Sequence, residues 1–402
     1  AEEGEVARLR SELARTAGPE LQRAQVGLQD RLQALEAVPH TALTARAFVV
    51  EGWVPTRGKQ LLIRGLQARC GDQVVVSEVA QEDWEGAEAP VELANPRLLR
   101  PFEVLIRLFP LPRYGSIDPT PFVAVFFPAF FGLMVGDIGY GLVLAVLGLV
   151  LHWRSRPGTL LRNVAEITGP CALFSILAGA LFGEFFGDLG TRRFGLAPVL
   201  FRREEAIVPF LLLALALGVV HMTLGLVLGA VNARRHPRQA AGRGISAVMV
   251  LLVVGALLAA VKVLPERFFT PLVVILLIAF PVLVALEGVV AMIELVTTFG
   301  NILSYARIMA LGVASVMLAV VANRMVGALG SVAVGVLFAT LFHVVNFAIA
   351  MFSPTIHALR LHYVEFFGKF YSPSGVRYAP LAHFARAAAP APVPSSVTRS
   401  VP

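Results

Sequence analysis

Between residues 295 and 323 the chain carries one formal charge, Arg307, with twelve uncharged residues before it and sixteen after. If this run crosses a bilayer, the guanidinium sits near mid-membrane. A central arginine costs about 2.5 to 3.5 kcal/mol on insertion scales, so it needs a carboxylate partner or a wet cavity. Snorkelling does not reach, because each end of the run lies roughly 18 Å or more away along a helix. A fixed buried cation can pair with an anion or hold a nearby carboxyl ionised, and carboxylates are at hand. Glu287 and Glu294 are seven residues apart, a spacing that predicts one helix face two turns apart and a wet path toward Arg307. The alternative is that Glu287 marks the membrane boundary and only Glu294 is immersed. In the last apolar run, His343, Asn346, His357 and Arg360 recur at intervals of 3, 11 and 3, near one stripe. Arg360, His362, Glu365 and Lys369 also read as a charged helix end at the interface. Asp137, Glu184 and Asp188 stand at helix ends flanked by glycine, as interfacial caps or as the mouth of an aqueous path. No G-x-x-x-x-G-K-[ST] loop and no His/Cys cluster with zinc spacing occurs, and no catalytic triad can be assembled. No metal or cofactor is expected, and the chemistry left is ion movement.

The elements that must hold these residues follow from composition. Hydrophobic residues make up 56% of the 402 and charged ones 15%, against about a quarter charged in a soluble domain. The apolar mass lies between residues 119 and 366, and a spanning helix needs roughly 20 apolar residues. From Pro119 to Trp153 the only ionisable side chains are Asp137, Tyr140 and His152. One helix of that length would be about 50 Å long, so the run is expected to split at residues 136–141 into two short spans. Further spans are expected near 164–187, 206–232, 244–263, 268–286, 288–325 and 331–366. The fold expected is therefore an all-α polytopic membrane domain of about eight transmembrane helices, the last two long and tilted.

A partial soluble coiled coil plus a small α+β module is expected ahead of it. Val6, Leu9 and Leu13, then Leu21, Leu28, Leu32 and Leu35, follow three-and-four spacing interrupted at Gly18-Pro19, which suits a coiled coil or an ordinary amphipathic helix. A β run at 47–50, the turn at 52–55, a helix to Arg69 and a second β run at 74–79 complete the module, and residues 82–97 read as a linker. Residues 1–100 are thus assigned to the soluble part, 101–118 to an interfacial linker, 119–366 to the transmembrane domain and 367–402 to a cytoplasmic tail. With a cytoplasmic N-terminal part, the arginines at 154, 156 and 162 and at 234, 235, 238 and 243 fall inside, as positive charge tends to; those at 192, 193, 202 and 203 fall outside, against it. Cys70 and Cys171 lie in different parts, so no disulfide framework is expected. The net charge of +7 resides in short loops between apolar runs, which suits membrane orientation and not nucleic acid. The chain opens on Ala in a stretch already helical in character, and is expected to lack the beginning of a longer protein.

The motifs resemble those of the membrane-embedded stator subunit of V-type and archaeal-type rotary ATPases, subunit a in eukaryotes and subunit I in prokaryotes. The matching segments are GWVP at 52–55, PRYGSIDPTPF at 112–122, FPAFFGLMVGDIGYG at 127–141, FGEFFGD at 182–188, HMTLG at 221–225, TTFGNILSYARIMALG at 297–312 and HALRLHYVEFFGKFY at 357–371. They occur in the family's order from about residue 46 to 380. The resemblance implies that Arg307 is the arginine facing a rotating ring of c-type proteolipid subunits, with Arg360 the second arginine. Ser304, Glu287, Glu294, His357, Glu365, His343 and Asn346 join them as candidate ion-translocation residues, with Asp137, Glu184 and Asp188 at a possible outer half-channel. Eukaryotic members carry a histidine where this chain has Ser315 and a glutamate where it has Ala350. His343 and Asn346 resemble the prokaryotic version, implying a multi-pass protein of a bacterial or archaeal plasma membrane. The implied partners are the c-type ring, peripheral stalk subunits, the V1/A1 catalytic head through the stalk, and the lipid bilayer. ATP chemistry would belong to other subunits. A secondary transporter with a buried arginine site and a membrane scaffold with a structural arginine are the rival readings.

Overall fold

A computed structural model describes residues 16–79, 89–328 and 331–381, together with residues 5, 6, 12 and 13. Leu9, most of the expected linker (residues 82–88) and most of the expected tail (residues 382–402) lie outside the described residues. The chain divides into a unit of Ala1–Pro90 with Arg377–Pro402 and a unit of Val91–Val376.

In the first unit, helix α1 spans Gly18–Ala37. Gly18-Pro19 begins this helix directly after a turn at Ala17, where proline fits a first turn whose N–H groups have no intrahelical acceptor. Leu21, Leu28, Leu32 and Leu35 are all exposed. Strands β1 (Thr41–Leu43) and β2 (Phe48–Val50) form an antiparallel hairpin, with Leu43 opposite Phe48, and helix α2 covers Lys59–Cys70. The β run expected at 74–79 is not a strand. The partner of β2 is β1, reached through a turn that Thr44 closes with its hydroxyl; so short a closure loses less chain entropy than pairing with a segment some 25 residues on.

The second unit opens with a collar. A short helix α3 (Glu103–Ile106) follows a 3-10 turn, and Phe102, Leu105 and Ile106 are buried. Tyr363 donates its hydroxyl to the Leu105 carbonyl, Tyr371 donates to Pro110, and Leu111 bridges Gly375. The collar therefore holds the end of the last long helix.

Helices α4 (Thr120–Val135) and α5 (Ile138–Arg154) form the first apolar hairpin. Its tip is Gly136-Asp137: Gly136 ends α4 in the left-handed region (φ +50°), and Asp137 caps α5 by accepting the Tyr140 N–H. Then come α6 (Leu160–Phe182), the short α7 (Leu189–Phe194), α8 (Ile207–Asn232), α9 (Pro237–Ala260), α10 (Phe269–Glu287), α11 (Val290–Leu303), α12 (Ala306–Ala328) and α13 (Val332–Arg360). A π-helical turn, Leu361–Phe366, continues α13 into α14 (Phe367–Phe370). Among the described residues, six helical segments are long and apolar enough to cross a membrane, the last two being Val290–Val326 and Val332–Phe370, while α4 and α5 are shorter. The protein is a membrane protein. Its main core packs Phe127, Phe130, Phe210, Tyr305, Phe366 and Phe367 between α4, α8, α12 and the end of α13. By contrast, α10 buries Leu283 alone, against Met249 and Ala291.

The expected shared face of Glu287 and Glu294 does not form. Glu287 and Glu294 do not share a helix: Glu287 ends α10, Gly288 follows at φ +79°, and Glu294 belongs to α11. Glycine enters that region at no steric cost, so the chain turns there and the seven-residue spacing no longer sets a common face.

Candidate ion-translocation site

The polar side chains of the apolar unit gather into three groups. The first surrounds Arg307 on the first turn of α12. Its Nη2 donates to Glu365 Oε1 at 3.3 Å, and the side chains of Arg307 and Glu365 are 17% and 2% exposed. Burial this deep strengthens the attraction but also removes hydration, so the pair must satisfy itself within the protein. It does so only in part, because Arg307 Nη1 and Glu365 Oε2 have no hydrogen-bond partner among the described residues. His357 stands in electrostatic range of both Arg307 and Arg360, and Arg360 is exposed. The structure thus brings Arg307, Glu365, His357 and Arg360 together. Ser304 lies at the junction of α11 and α12, where its hydroxyl donates to the Gly300 carbonyl of its own helix.

Behind Arg307, two residues earlier in the chain, Tyr305 is buried with its hydroxyl 2.6 Å from His221 Nδ1 of α8. His221 stacks on Phe366, and its ring centroid is 5.1 Å from that of His362. The charged-end reading of the last helix therefore suits Arg360 only: His362, Glu365 and Lys369 are all buried.

The second group is acidic and basic in equal measure. Glu294 and Glu287 remain in electrostatic range of each other despite the break between their helices, and Arg243 of α9 lies within range of Glu287. Lys369 Nζ donates to Thr298 Oγ1 at 2.7 Å.

The third group lies at the tip of the α4–α5 hairpin. Asp137 Oδ1 accepts the N–H groups of Tyr140 and Phe186, and Oδ2 accepts that of Gly187. Both oxygens are therefore engaged by backbone. Glu184 pairs with Arg203, whose side chain is fully buried. That guanidinium donates to the carbonyls of Leu133, Met134, Val135 and Gly136, the last turn of α4, and lies over the rings of Phe182 and Phe210. A cation at a helix C-terminus meets the negative end of the macrodipole and the carbonyls that lack intrahelical donors. A side chain at Gly136 would collide with this guanidinium, so glycine is needed there for space as well as for φ.

From the same tip a chain of hydrogen bonds runs to α13. Asn346 Nδ2 donates to the Tyr140 hydroxyl oxygen at 2.9 Å, which directs the Tyr140 O–H to His343 Nδ1 at 2.8 Å. His343 Nε2 then donates to Asn323 Oδ1, and Asn323 Nδ2 donates to Asp188. Asp188 also pairs with Arg192. Asp188 thus meets His343 and Asn346 through Asn323 and Tyr140, Asp137 joins through the Tyr140 N–H, and the Glu184 carboxylate bonds Arg203 instead.

The model of the V-type ATPase 116kDa subunit family matches residues 32–187 and 283–383, most of the chain. This chain belongs to that family. Arg307, Glu365, Glu287, Glu294, Asp137 and His343 all fall in the two matched blocks, whereas Arg203, His221 and Arg243 fall between them. Among relatives, the chain is 34% identical over 374 residues to the A-type ATP synthase subunit I of Thermococcus kodakarensis, covering 85% of this chain and 55% of that one. It is 31% identical to the subunit of the same name from Methanothermobacter thermautotrophicus (82% and 50% covered) and 30% identical to that of Archaeoglobus fulgidus (89% and 62%). The chain therefore spans a little over half the length of these relatives.

Arg203, Lys369, Asn323 and Tyr305 were missed by sequence reasoning. Hydropathy marks Arg203 as one of four arginines in a loop and Lys369 as a helix-end charge, and neither signal separates a buried cation from an exposed one. His221 had a signal, the HMTLG segment, but its partner Tyr305 lies 84 residues away.

Proposed function

We propose that this family member is the static membrane subunit of a rotary V/A-type ATPase, passing protons or sodium ions between two half-channels against a rotating ring of c-type proteolipids. The observation that carries this reading is Arg307: a cation inside an apolar unit, held by one carboxylate and with no partner for Nη1 among the described residues. A ring carboxylate crossing lipid must be neutral, and beside a fixed guanidinium its anion is favoured, since an opposite charge lowers a carboxyl pKa. Glu365 would then hold Arg307 in the intervals when no ring carboxylate faces it, and the cation would bar direct passage from one half-channel to the other.

In this reading Glu287, Glu294 and His357 belong to a path from the cytoplasm, and Asp137, Glu184 and Asp188 to an outer path. The chain crosses the membrane eight times, counting α4 and α5, with its soluble unit reaching peripheral stalk subunits and, through them, the V1/A1 head where ATP is handled. The relatives' name and archaeal origin support placing it in a bacterial or archaeal plasma membrane.

The test is Arg307→Gln in the assembled complex. ATP-driven ion uptake into vesicles should be abolished while a pull-down recovers normal subunit content, because removing a buried cation also removes an insertion cost. Near-normal uptake would defeat the proposal and favour a structural arginine.

A further inference from the structure

Lys369 is 6% exposed, and its ammonium turns inward to donate to Thr298 Oγ1, which in turn donates to the Glu294 carbonyl at 2.7 Å. Lysine at a helix end normally extends its amine toward water. Here the close approach of α14 to α8 keeps it in: a side chain at Gly229 would strike the Lys369 carbonyl. A hydroxyl such as Thr298 also accepts from a neutral donor, and the gain from a charged one is too small to account alone for a charge in so dry a place.

The surroundings supply one. Lys369 lies within electrostatic range of Glu294 and Arg243, and Glu287 within range of Glu294 and Arg243. Two acids and two cations, from α9, α10, α11 and α14, face one another, and none of the four pairs within 4 Å among the described residues. Arg243 donates to the Gly229 carbonyl and still lies in range of Glu287, so Lys369 is the cation left for Glu294. We propose that Lys369 is a positioning residue of the inner ion path, its immobile charge offsetting the Glu287–Glu294 pair so that the pair passes on an incoming proton and does not retain it. This rests on Glu294 lying on that path. Glu287 is half-buried and Glu294 exposed in an apolar unit, and two uncompensated carboxylates within range of each other share and hold a proton, because each favours the neutral form of the other.

The experiment uses the assembled complex in vesicles, with a dye reporting ATP-driven proton uptake and a pull-down reporting subunit content. Lys369→Gln keeps a donor for Thr298 and removes the charge; Lys369→Arg keeps the charge. The Gln variant should lose on the order of tenfold in initial rate, as expected for one unit charge at close range in a partly buried site. The loss should deepen as the pH on the feeding side falls from about 8 to about 6, where an uncompensated pair stays protonated. The Arg variant should keep at least half the rate. A normal rate for Gln, an equal loss in both assembled variants, or a loss that does not vary with pH would overturn the proposal. Glu294→Leu separates this from a failure of the path itself: if that variant pumps normally, Glu294 is not on the path, whatever Lys369 does.

Discussion

Arg203 offers the sharpest test of how the apolar unit is held together. Replacing it with Leu removes the partner of Glu184 and, with it, four hydrogen bonds to the last turn of α4. Breaking a buried ion pair from one side costs about 3 to 5 kcal/mol, chiefly because the remaining charge is stranded. The uncapped carbonyls add to this less than their count suggests, since they act as one cluster and water at a loosened tip can reach some of them. The expected loss is therefore about 3 to 5 kcal/mol, two to three and a half powers of ten in the unfolding constant. The double variant Arg203→Leu/Glu184→Leu removes the stranded charge and should recover about 2 kcal/mol or more. The assay is helix loss by circular dichroism as SDS is titrated into mixed micelles, on wild type, single and double variants. A cost below about 1 kcal/mol for the single variant, or a double variant no more stable than the single, would refute the reasoning.

The remaining predictions concern the hydrogen-bond chain and the topology. Tyr140→Phe leaves His343 Nδ1 and Asn346 Nδ2 each without the hydroxyl they share, and should cost about 1 to 3 kcal/mol in the same titration; unchanged stability would mean that water replaces the hydroxyl. With Cys70, which is exposed, replaced by Ser, cysteines at Val199 and Ser374 should differ in whole cells: a membrane-impermeant maleimide should label position 199 and leave 374 unlabelled. Ser374 is preferred to its neighbour Gly375, where a side chain would meet the Pro112 carbonyl. Labelling of 374 alone would invert the proposed orientation.

Much of the architecture was legible because hydropathy is a local property. A run of uncharged residues announces a membrane helix wherever it sits, and the lone charge in such a run, Arg307, announces a problem of solvation before any fold is known. Glycine marked the hairpin tip at Gly136-Asp137 for the same reason: its backbone preferences belong to a single residue. The strand expected at 74–79 failed because a strand exists only with a partner, and a nearer one closed first. The shared face of Glu287 and Glu294 failed because one backbone angle at Gly288 redirects everything after it.

The candidate site divides along the same line. Residue types along the chain sufficed to single out Arg307, the carboxylates at 287 and 294, and the acids at the glycine-rich tip, because an ionisable group in an apolar run is costly in any arrangement. Which groups meet was decided by tertiary structure alone. Arg307 finds Glu365 across 58 positions, Tyr140 finds His343 across 203, and Arg203, in sequence one loop arginine among four, becomes the buried cap of a helix that ended 68 residues earlier. Electrostatic and hydrogen-bond energies depend on distances of a few ångströms, and such distances between remote segments are set by how the helices pack, which no local pattern encodes.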